Sequence, residues 1–457
     1  MRSVKYLLAA IVLALLVIIT SLYRQSNSVQ SAFQYLRRPF ILTSTTTSSH
    51  HHDPNEKFLT FYPHSGLHNQ RLGLLNAMVL AKALNRTLVL PQINLGRGTH
   101  WAASPKLAVR MAECPDLPIP ERRGGGCADY RRYIPVPVST VFDLSVLDAV
   151  GIPYIERDDM HLSYFHNELG VYGDDDMYQV NDSSRFSYRI YGTRNTTTGD
   201  LRQFEYRLDL EDLAMRPERA LVFGSLFGST RLVLDQRPDL SWLLHYLSGE
   251  LGFGHPTVVQ QTLNVVSQLG GPGEFVGVHL RTGDGVFRVV MEQTMNMVRQ
   301  TLQGLSPNNP NHVEQQQQQQ LDSIEHLQSL GQQNEIQELL HECVSLQHNR
   351  HEHDLHHRLR LIFMATDAAQ PRQTLPSLYN EFVCLFSLSD FDDAIQQTIT
   401  SSSNDNLGPL LLPLLDAEVA SHGEFFVGTK RSTFSKYIEY RNHRFLSYYP
   451  NHPTLSL

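Results

Sequence analysis

Residues Phe275–Asp284 read FVGVHLRTGD, an apolar run that ends abruptly in polar and charged residues. This pattern is typical of a buried parallel strand whose carboxyl end lies at the ligand-binding edge of an α/β sheet. Arg281 follows the run, and its permanently charged guanidinium offers the planar fork of donors that holds a phosphate or diphosphate. The stretch therefore predicts a strand that carries an anion-binding arginine to the edge of a sheet.

Three further segments place polar residues after apolar runs. The loop His64–Arg71 lies between a predicted strand, 58–62, and a predicted helix, 70–84, where glycine and a helix N-terminus favour an anion. Asp367 ends another apolar run, and Thr429–Ser435 places a basic turn and hydroxyls before a predicted helix. Each segment alone has a structural explanation, as an ion pair or a helix cap. Four such strand ends in one chain predict a ligand site.

The composition indicates a folded α/β protein. The chain has 457 residues, of which 41% are hydrophobic, so it is long enough for two or three domains. Its formal net charge of -8 gives no general reason to expect nucleic-acid binding. The segment 92–220 is expected to form loops and short elements. The predicted strands are 58–62, 88–90, 221–225, 275–280, 361–365 and 425–428.

The N-terminus carries a candidate membrane segment. Arg2 and Lys5 precede an uncharged apolar run, Tyr6–Tyr23, which is long for the core of a signal peptide. We predict an uncleaved transmembrane signal anchor over residues 1–23, with a cleaved signal peptide as the alternative. Residues 24–56 are rich in Ser, Thr, Gln and His, which is typical of a flexible stem.

Sequons and cysteines favour a body that lies in the secretory lumen. Three N-x-S/T sequons are candidate glycosylation sites, at Asn85, Asn181 and Asn195. The four cysteines allow two disulfides, and proximity in sequence predicts Cys114–Cys127 and Cys343–Cys384. Four buried free thiols are the alternative.

The folded body is predicted to contain two domains. The first spans 57–245 and the second 246–445, followed by a tail at 446–457. Residues 304–357 contain a glutamine run and many histidines, which predicts an exposed, partly helical insertion in the second domain.

Two patterns resemble metal sites but favour another interpretation. Asp174-Asp175-Asp176 contains a D-x-D, but no long apolar run precedes it, so an exposed turn is expected. The histidines between His348 and His357 have no cysteine ligands or framing fold beside them, so a surface tract is expected.

Four motifs resemble those of the GDP-fucose O-fucosyltransferase family. The first is Gly66–Arg71 with Ala81–Pro91 behind it, and the second, arginine-bearing motif is Val278–Asp284. Ala365–Asp367 and Phe426–Ser435 resemble the C-terminal motifs. The match keeps the family's motif order over roughly 57–445, without a likeness in the middle or in the insertion.

The resemblance implies a GT-B architecture, with two Rossmann-like domains that face a cleft. It also implies an inverting, metal-independent transfer of fucose from GDP-fucose to a hydroxyl acceptor on a glycoprotein, glycan or polysaccharide, with no cofactor. With the N-terminal segment, it implies a single-pass type II protein of the Golgi or ER membrane with a lumenal catalytic domain. Two alternatives remain: another nucleotide deoxysugar as donor, or a catalytically silent sugar- or glycoprotein-binding protein.

Site roles follow from the resemblance by position. Arg281 would hold the donor β-phosphate and stabilise the leaving charge. Gly66 and Asn69 would line the diphosphate and the reacting sugar. His68 stands where the family pattern often has Asn, so it is either the catalytic base or a tolerated loop residue. Further donor-binding residues would be His279, Asp284, Asp367, Ser432, Thr433 and Phe434.

Overall fold

The computed structural model describes residues 53–448 apart from 54, 97, 99, 116, 118–126, 128–132, 196–200, 284, 305–313, 349–354 and 402–406. The predicted anchor, nearly all of the predicted stem and residues 449–457 of the predicted tail lie outside the described residues. Within the described part, no helix is both long enough and apolar enough to cross a bilayer.

Short strands alternate with helices along the described chain. In chain order, the strands are β1 (Phe58–Phe61), β2 (Thr87–Leu90), β3 (Ile93–Gly96), β4 (Tyr133–Val136), β5 (Tyr154–Glu156), β6 (Met177–Val180), β7 (Tyr188–Tyr191), β8 (Tyr206–Asp209), β9 (Ala220–Phe223), β10 (Leu232–Val233), β11 (Val276–Leu280), β12 (Ile362–Thr366), β13 (Leu385–Phe386) and β14 (Phe426–Gly428).

The helices are α1 (Leu67–Leu84), α2 (Ser104–Glu113), α3 (Ser145–Val150), α4 (Ser163–Asn167), α5 (Leu210–Ala214), α6 (Pro238–Glu250), α7 (Pro256–Gln268), α8 (Gly285–Gly304), α9 (Glu314–Gln333), α10 (Ile336–His348), α11 (Pro371–Thr374), α12 (Pro376–Glu381), α13 (Asp392–Ser401), α14 (Gly408–Ser421) and α15 (Thr433–Tyr448). Short 3-10 turns lie at Val138–Thr140, Asp174–Asp176, His357–Leu359 and Leu388–Asp390.

The first sheet is parallel and has the order β5-β2-β1-β9-β6. Its central strands are buried along their whole length, which explains their largely apolar sequences. Helix α1 connects β1 to β2, beginning after Gly66 and ending at Asn85, which adopts the left-handed conformation. This confirms the β-loop-α-β unit predicted from the sequence.

The second sheet is also parallel, with the order β13-β12-β11-β14. Strand β11 lies between β12 and β14, so its carboxyl end, where His279 and Arg281 lie, has a neighbouring strand on each side. The three strands predicted at 275–280, 361–365 and 425–428 are therefore confirmed, and they are adjacent in one sheet.

The prediction for the segment 92–220 was incomplete. Strands β7 and β8 of this segment form a third, parallel sheet with β10, which lies beyond it, and β3 pairs with β4 in an antiparallel ribbon. Strand β8 is exposed or half-buried, and its sequence YRLD contains two charged residues. Such a strand carries little apolar signal, which explains why the sequence did not reveal it.

The predicted boundary at 245/246 falls inside α6, which packs against both α1 and α15. The chain leaves α6 at Leu251 and enters α7 at Pro256, and α7 packs on α13 and α14. The crossing between the two halves is therefore the segment 251–255. A common hydrophobic core includes residues from both halves, such as Leu59, Phe253 and Tyr437.

The insertion predicted at 304–357 is helical in most of its described part, as predicted in part, but one face of it is buried rather than exposed. Helices α9 and α10 pack against each other, and Ile324, Leu327 and Leu330 are buried in the common core. These apolar residues recur at a spacing of three, which places them on one helix face. The composition of the segment did not indicate this apolar face, because glutamines outnumber the apolar residues around it.

The cysteines pair as Cys114–Cys127 and Cys343–Cys384, as their proximity in sequence predicted. The second bridge ties α10 to the residue before β13, which fastens the insertion to the second sheet. The three sequon asparagines, Asn85, Asn181 and Asn195, are all exposed, as glycosylation requires.

Candidate functional site

The end of β11 holds His279 and Arg281 in different surroundings. His279 is only 4% exposed, and its Nδ1 lies 2.6 Å from Ser435 Oγ. Arg281 is half-buried; its backbone N–H donates to Thr429 Oγ1, and its guanidinium carbon lies 4.5 Å from the centre of the Phe287 ring. The hydrogen bond to Thr429 thus holds the end of β11 in place, and Arg281 lies directly after this strand at the sheet edge.

Asp367 fastens the loop that follows Arg281. Its carboxylate accepts hydrogen bonds from the Thr282 backbone N–H at 2.6 Å, from the Thr282 hydroxyl at 3.0 Å and from the Gly283 backbone N–H at 3.1 Å. The described geometry therefore gives Asp367 a role in positioning the Arg281 loop. A contact with ribose or guanine stays a prediction.

Helix α15 begins beside Arg281 with a capped N-terminus. Ser432 is buried, and its hydroxyl accepts a hydrogen bond from the Ser435 backbone N–H. Arg431 precedes it with a left-handed φ of 64°, and Thr433 and Phe434 form the half-buried first turn. Because the first turn of a helix has unpaired amides and a positive dipole end, it favours an anion.

Helix α1 begins at the corresponding edge of the first sheet. Gly66 precedes the helix, and a Cβ added to it would meet nothing within 4 Å, so open space lies beside this position. Ser65 has a left-handed φ of 69°, and its carbonyl accepts a hydrogen bond from Gln70 Nε2. Asn69 lies in the first turn of α1 and is partly buried.

His68 joins the two halves of the protein. Its ring centroid lies 4.7 Å from that of Phe434 and 5.1 Å from that of Tyr437, both on α15. Phe434 in turn lies 4.6 Å from the ring of His279. The motif of the first half therefore meets two of the three motifs of the second half at one junction, where the starts of α1 and α15 and the end of β11 converge.

The junction histidines are poor bases. Burial lowers the pKa of His68 to about 3, with a further contribution from the charge of Arg71. Burial likewise lowers the pKa values of His279 and His64 to about 3. The His64 ring also forms hydrogen bonds with the hydroxyls of Ser65 and Ser225. An imidazole of such low basicity gains little by accepting a proton at neutral pH. This geometry favours a packing role for His68 over the predicted role as the catalytic base.

The low pKa values predict that acid destabilises the protein. Between pH 6.5 and about 3, His64, His68 and His279 are protonated in the unfolded chain but neutral in the folded chain. The free energy of unfolding therefore falls as the pH falls below 6.5. Each histidine adds a slope of at most ~1.4 kcal/mol per pH unit. Urea unfolding between pH 7.5 and 5 measures this slope, which His279→Gln should reduce. Replacing the exposed His161 with Gln is the control, and equal slopes in both variants would contradict the prediction.

The junction has the chemistry of an anion site. The starts of α1 and α15 meet here through His68 and Phe434, and Arg281 lies two residues beyond His279 on the same strand end. Helix N-termini and arginine are the groups that proteins use to hold phosphate. Among the described residues, no group of three or more His, Cys, Asp or Glu side chains is arranged to hold a metal ion. Asp284 lies outside the described residues, so its predicted contact with the donor stays a prediction.

Similar solved structures include POFUT1 and the fucosyltransferase NodZ. POFUT1 in complex with GDP-fucose has 12% sequence identity to this chain and a TM-score of 0.37, over 85% of this chain and 94% of that chain. POFUT1 with GDP has 14% identity and a TM-score of 0.39, over 85% and 95%. NodZ from Bradyrhizobium has 14% identity and a TM-score of 0.38, over 84% and 92%.

No family model matches the sequence, and no curated protein matches it either. At these identities and TM-scores, the likeness to solved structures by itself assigns no activity to the chain.

The two candidate metal patterns lie elsewhere. Asp174–Asp176 forms a 3-10 turn before β6, and Asp175 is exposed. His348 ends α10, and His356 and His357 stack with ring centroids 4.3 Å apart. Residues 351–354, which include two of the histidines, lie outside the described residues.

Several polar residues near the strand ends were not singled out from the sequence. Asp182 follows β6 and accepts hydrogen bonds from the backbone N–H groups of Ser225 and Ser104, while Ser225 also bonds His64 Nε2. Burial raises the pKa of Asp182. Since Asp182 and Ser225 follow parallel strands on the same side of β1, the strand-end argument that identified the His64 loop would also have identified them.

A buried carboxyl lies under the end of β12. Asp416 on α14 accepts a hydrogen bond from the Thr366 backbone N–H, and its second oxygen has no partner among the described residues. Burial raises its pKa well above the usual value. Only the tertiary structure could reveal this residue, because in sequence it lies within a helix of apolar neighbours.

Proposed function

We propose that this protein is an inverting glycosyltransferase that moves fucose from GDP-fucose to a hydroxyl acceptor. The observation that carries the proposal is the junction at which His68 contacts Phe434 and Phe434 contacts His279, beside Arg281. It brings together the segments whose sequences resemble the GDP-fucose O-fucosyltransferase motifs.

The junction fits the charge that such a reaction develops. In an inverting transfer, the acceptor oxygen attacks the anomeric carbon of fucose while the bond from that carbon to the diphosphate oxygen breaks. The leaving GDP gains negative charge, which Arg281 and the first turn of α15 would stabilise. A base or a water relay takes the acceptor proton, and Asn69 and Gly66 would border the sugar. In this proposal the chain's own groups neutralise the diphosphate, and the reaction uses no metal ion or other cofactor.

The proposed setting is the lumen of the Golgi or ER, with the chain anchored as a single-pass type II membrane protein. The apolar run Tyr6–Tyr23, the exposed sequon asparagines and the two disulfides support this setting. The proposed acceptor is a hydroxyl of a glycoprotein, glycan or polysaccharide.

A loop substitution should weaken donor binding without unfolding the protein. A Cβ on Gly283 would lie 2.8 Å from Asp367 Oδ2, so Gly283→Ala must displace the carboxylate that holds the Arg281 loop. We expect the KM for GDP-fucose to rise by ~10-fold, because hydrogen bonds to a charged group are worth roughly 1.5–3 kcal/mol. Gly304→Ala is the control, because a Cβ there meets nothing within 4 Å. An unchanged KM in Gly283→Ala would show that Asp367 does not position Arg281.

The proposed function is tested by nucleotide release from a panel of GDP- and UDP-sugars, with and without EDTA. We expect release from GDP-fucose, no effect of EDTA, and loss of release in Arg281→Ala. The control is Arg299→Ala, which changes an arginine of the same half that is paired with Glu292 and Glu381.

Each other outcome has a defined meaning. Release from another nucleotide deoxysugar would show that the protein is a glycosyltransferase with a different donor. Loss of release with EDTA would contradict the metal-independent mechanism. Binding of GDP-fucose without turnover, when candidate glycoprotein and glycan acceptors are supplied, would favour the silent binding protein.

A further inference from the structure

Helix α8 begins a few residues after Arg281 and packs on the second sheet. Apolar residues spaced by three or four along this helix lie on one of its faces: Phe287, Met291, Met295, Val298 and Leu302. The last three of these are buried in a core cluster with Val278 and Leu280 of β11. The packing of this face against β11 therefore fixes the position of the helix relative to the strand that leads to Arg281.

Phe287 lies at the start of this apolar face, beside Arg281. It is in the first turn of α8 and is half-buried. The Arg281 guanidinium lies over its ring, with the guanidinium carbon 4.5 Å from the ring centre. A cation at this distance over an aromatic ring is attracted by the negative charge of the ring face. The helix face that packs on β11 thus continues to the arginine that follows this strand.

Hydrogen bonds hold the backbone around Arg281. The N–H of Arg281 itself donates to Thr429 Oγ1. The next two N–H groups, of Thr282 and Gly283, donate to the Asp367 carboxylate. An arginine side chain has several rotatable bonds beyond its backbone, and ordering them when a ligand binds costs free energy. A ring in a fixed position lowers this cost, because it favours one orientation of the guanidinium before the ligand arrives.

We propose that Phe287 is a positioning residue that holds the Arg281 guanidinium ready for the donor diphosphate. This inference rests on the proposed function, in which Arg281 binds that diphosphate. A cation–π contact requires no hydrogen-bond acceptor, so it is compatible with guanidinium N–H groups that donate to phosphate oxygens. Phe287 itself touches neither the nucleotide nor the sugar, and it acts on binding through Arg281.

The test is a double-mutant cycle on the affinity for GDP, measured by isothermal titration calorimetry with the full-length protein. We expect Phe287→Leu to raise the Kd for GDP about 3- to 10-fold, because leucine keeps an apolar side chain on the helix face but has no aromatic ring. Phe287→Tyr keeps the ring and should retain the parent Kd. In the Arg281→Ala background, Phe287→Leu should have little further effect, because the group that it positions is gone.

Tyr178→Leu is the matched control. Tyr178 lies on β6 in the first sheet, and the Arg216 guanidinium carbon is 3.8 Å from its ring centre. The substitution therefore removes a contact of the same kind at a place that is not part of the junction, and it should leave the Kd for GDP unchanged. If Phe287→Leu does not fold, Phe287→Met takes its place in the cycle, because methionine is also apolar and lacks a ring.

The outcomes separate this inference from the proposed function. An unchanged Kd in Phe287→Leu, an equal effect of this substitution with and without Arg281, or an equal loss in Phe287→Tyr would overturn the positioning role alone. The expected coupling in GDP binding, without release of GDP from GDP-fucose when acceptors are supplied, would support the positioning role and contradict the proposed transfer. A parent protein that does not bind GDP would contradict both.

Discussion

Replacing Arg281 with alanine is expected to lower the rate of fucosyl transfer by about 10²–10³-fold, with little change in the melting temperature. The guanidinium lies at the end of a buried central strand, where its charge would offset the charge that develops on the leaving diphosphate. The side chain is half-buried, and the strand end is held by backbone bonds to Thr429 and Asp367, so the fold does not depend on this head group. The measurement is the initial rate of transfer at saturating GDP-fucose.

The variant Arg281→Lys separates charge from geometry. Lysine keeps the charge but loses the planar fork of donors, so we expect an activity between those of the parent protein and Arg281→Ala. Arg299→Ala should retain the parent rate. Equal rates in the parent protein and Arg281→Ala would show that this arginine does not bind the diphosphate.

Replacing Arg71 with methionine is expected to destabilise the protein by about 3 kcal/mol or more. Arg71 is 3% exposed, and its guanidinium donates to the carbonyls of Ser248 and Leu251 at 2.7–3.1 Å and lies 4.8 Å from the Tyr437 ring centre. It thus ties α1 to the segment at which the chain crosses between its halves. Methionine fills much of the volume but leaves both carbonyls buried without a donor, and each costs roughly 1–3 kcal/mol.

Urea unfolding of Arg71→Met at pH 7.5 measures this effect, with Arg299→Met as the control. Arg299 pairs with two partly exposed glutamates, so its replacement should cost less than about 1 kcal/mol. Because Phe253, in the segment that Arg71 helps to hold, contacts His68, we also expect a higher KM for the donor. Equal stabilities of the two variants would show that these carbonyls find other donors.

The parallel sheets were predictable because their strands are buried on both faces. Runs such as those of β1, β11 and β12 are mostly apolar, and the polar residues that follow each run mark the sheet edge. The same physics fails for β8, whose residues are exposed or half-buried, and for α9, where glutamines surround the apolar face. In both cases the burial that stabilises the element depends on tertiary partners that local sequence does not contain.

The residue types of the junction were predictable, but their individual roles were not. Asp367 was expected to meet the nucleoside, and the structure joins its carboxylate to the loop at Thr282 and Gly283. His68 was a candidate base, and the structure surrounds it with aromatic rings from both halves. A role of this kind depends on distances between segments more than 80 residues apart, which spacing along one chain does not fix.

The most direct measurement is a crystal structure of the protein with GDP bound. We predict that the diphosphate lies at the junction, with its oxygens within hydrogen-bonding distance of the Arg281 guanidinium and of the first-turn amides of α15, and beside Gly66. A diphosphate bound elsewhere, with Arg281 directed away from it, would contradict the proposal that this junction is the donor site.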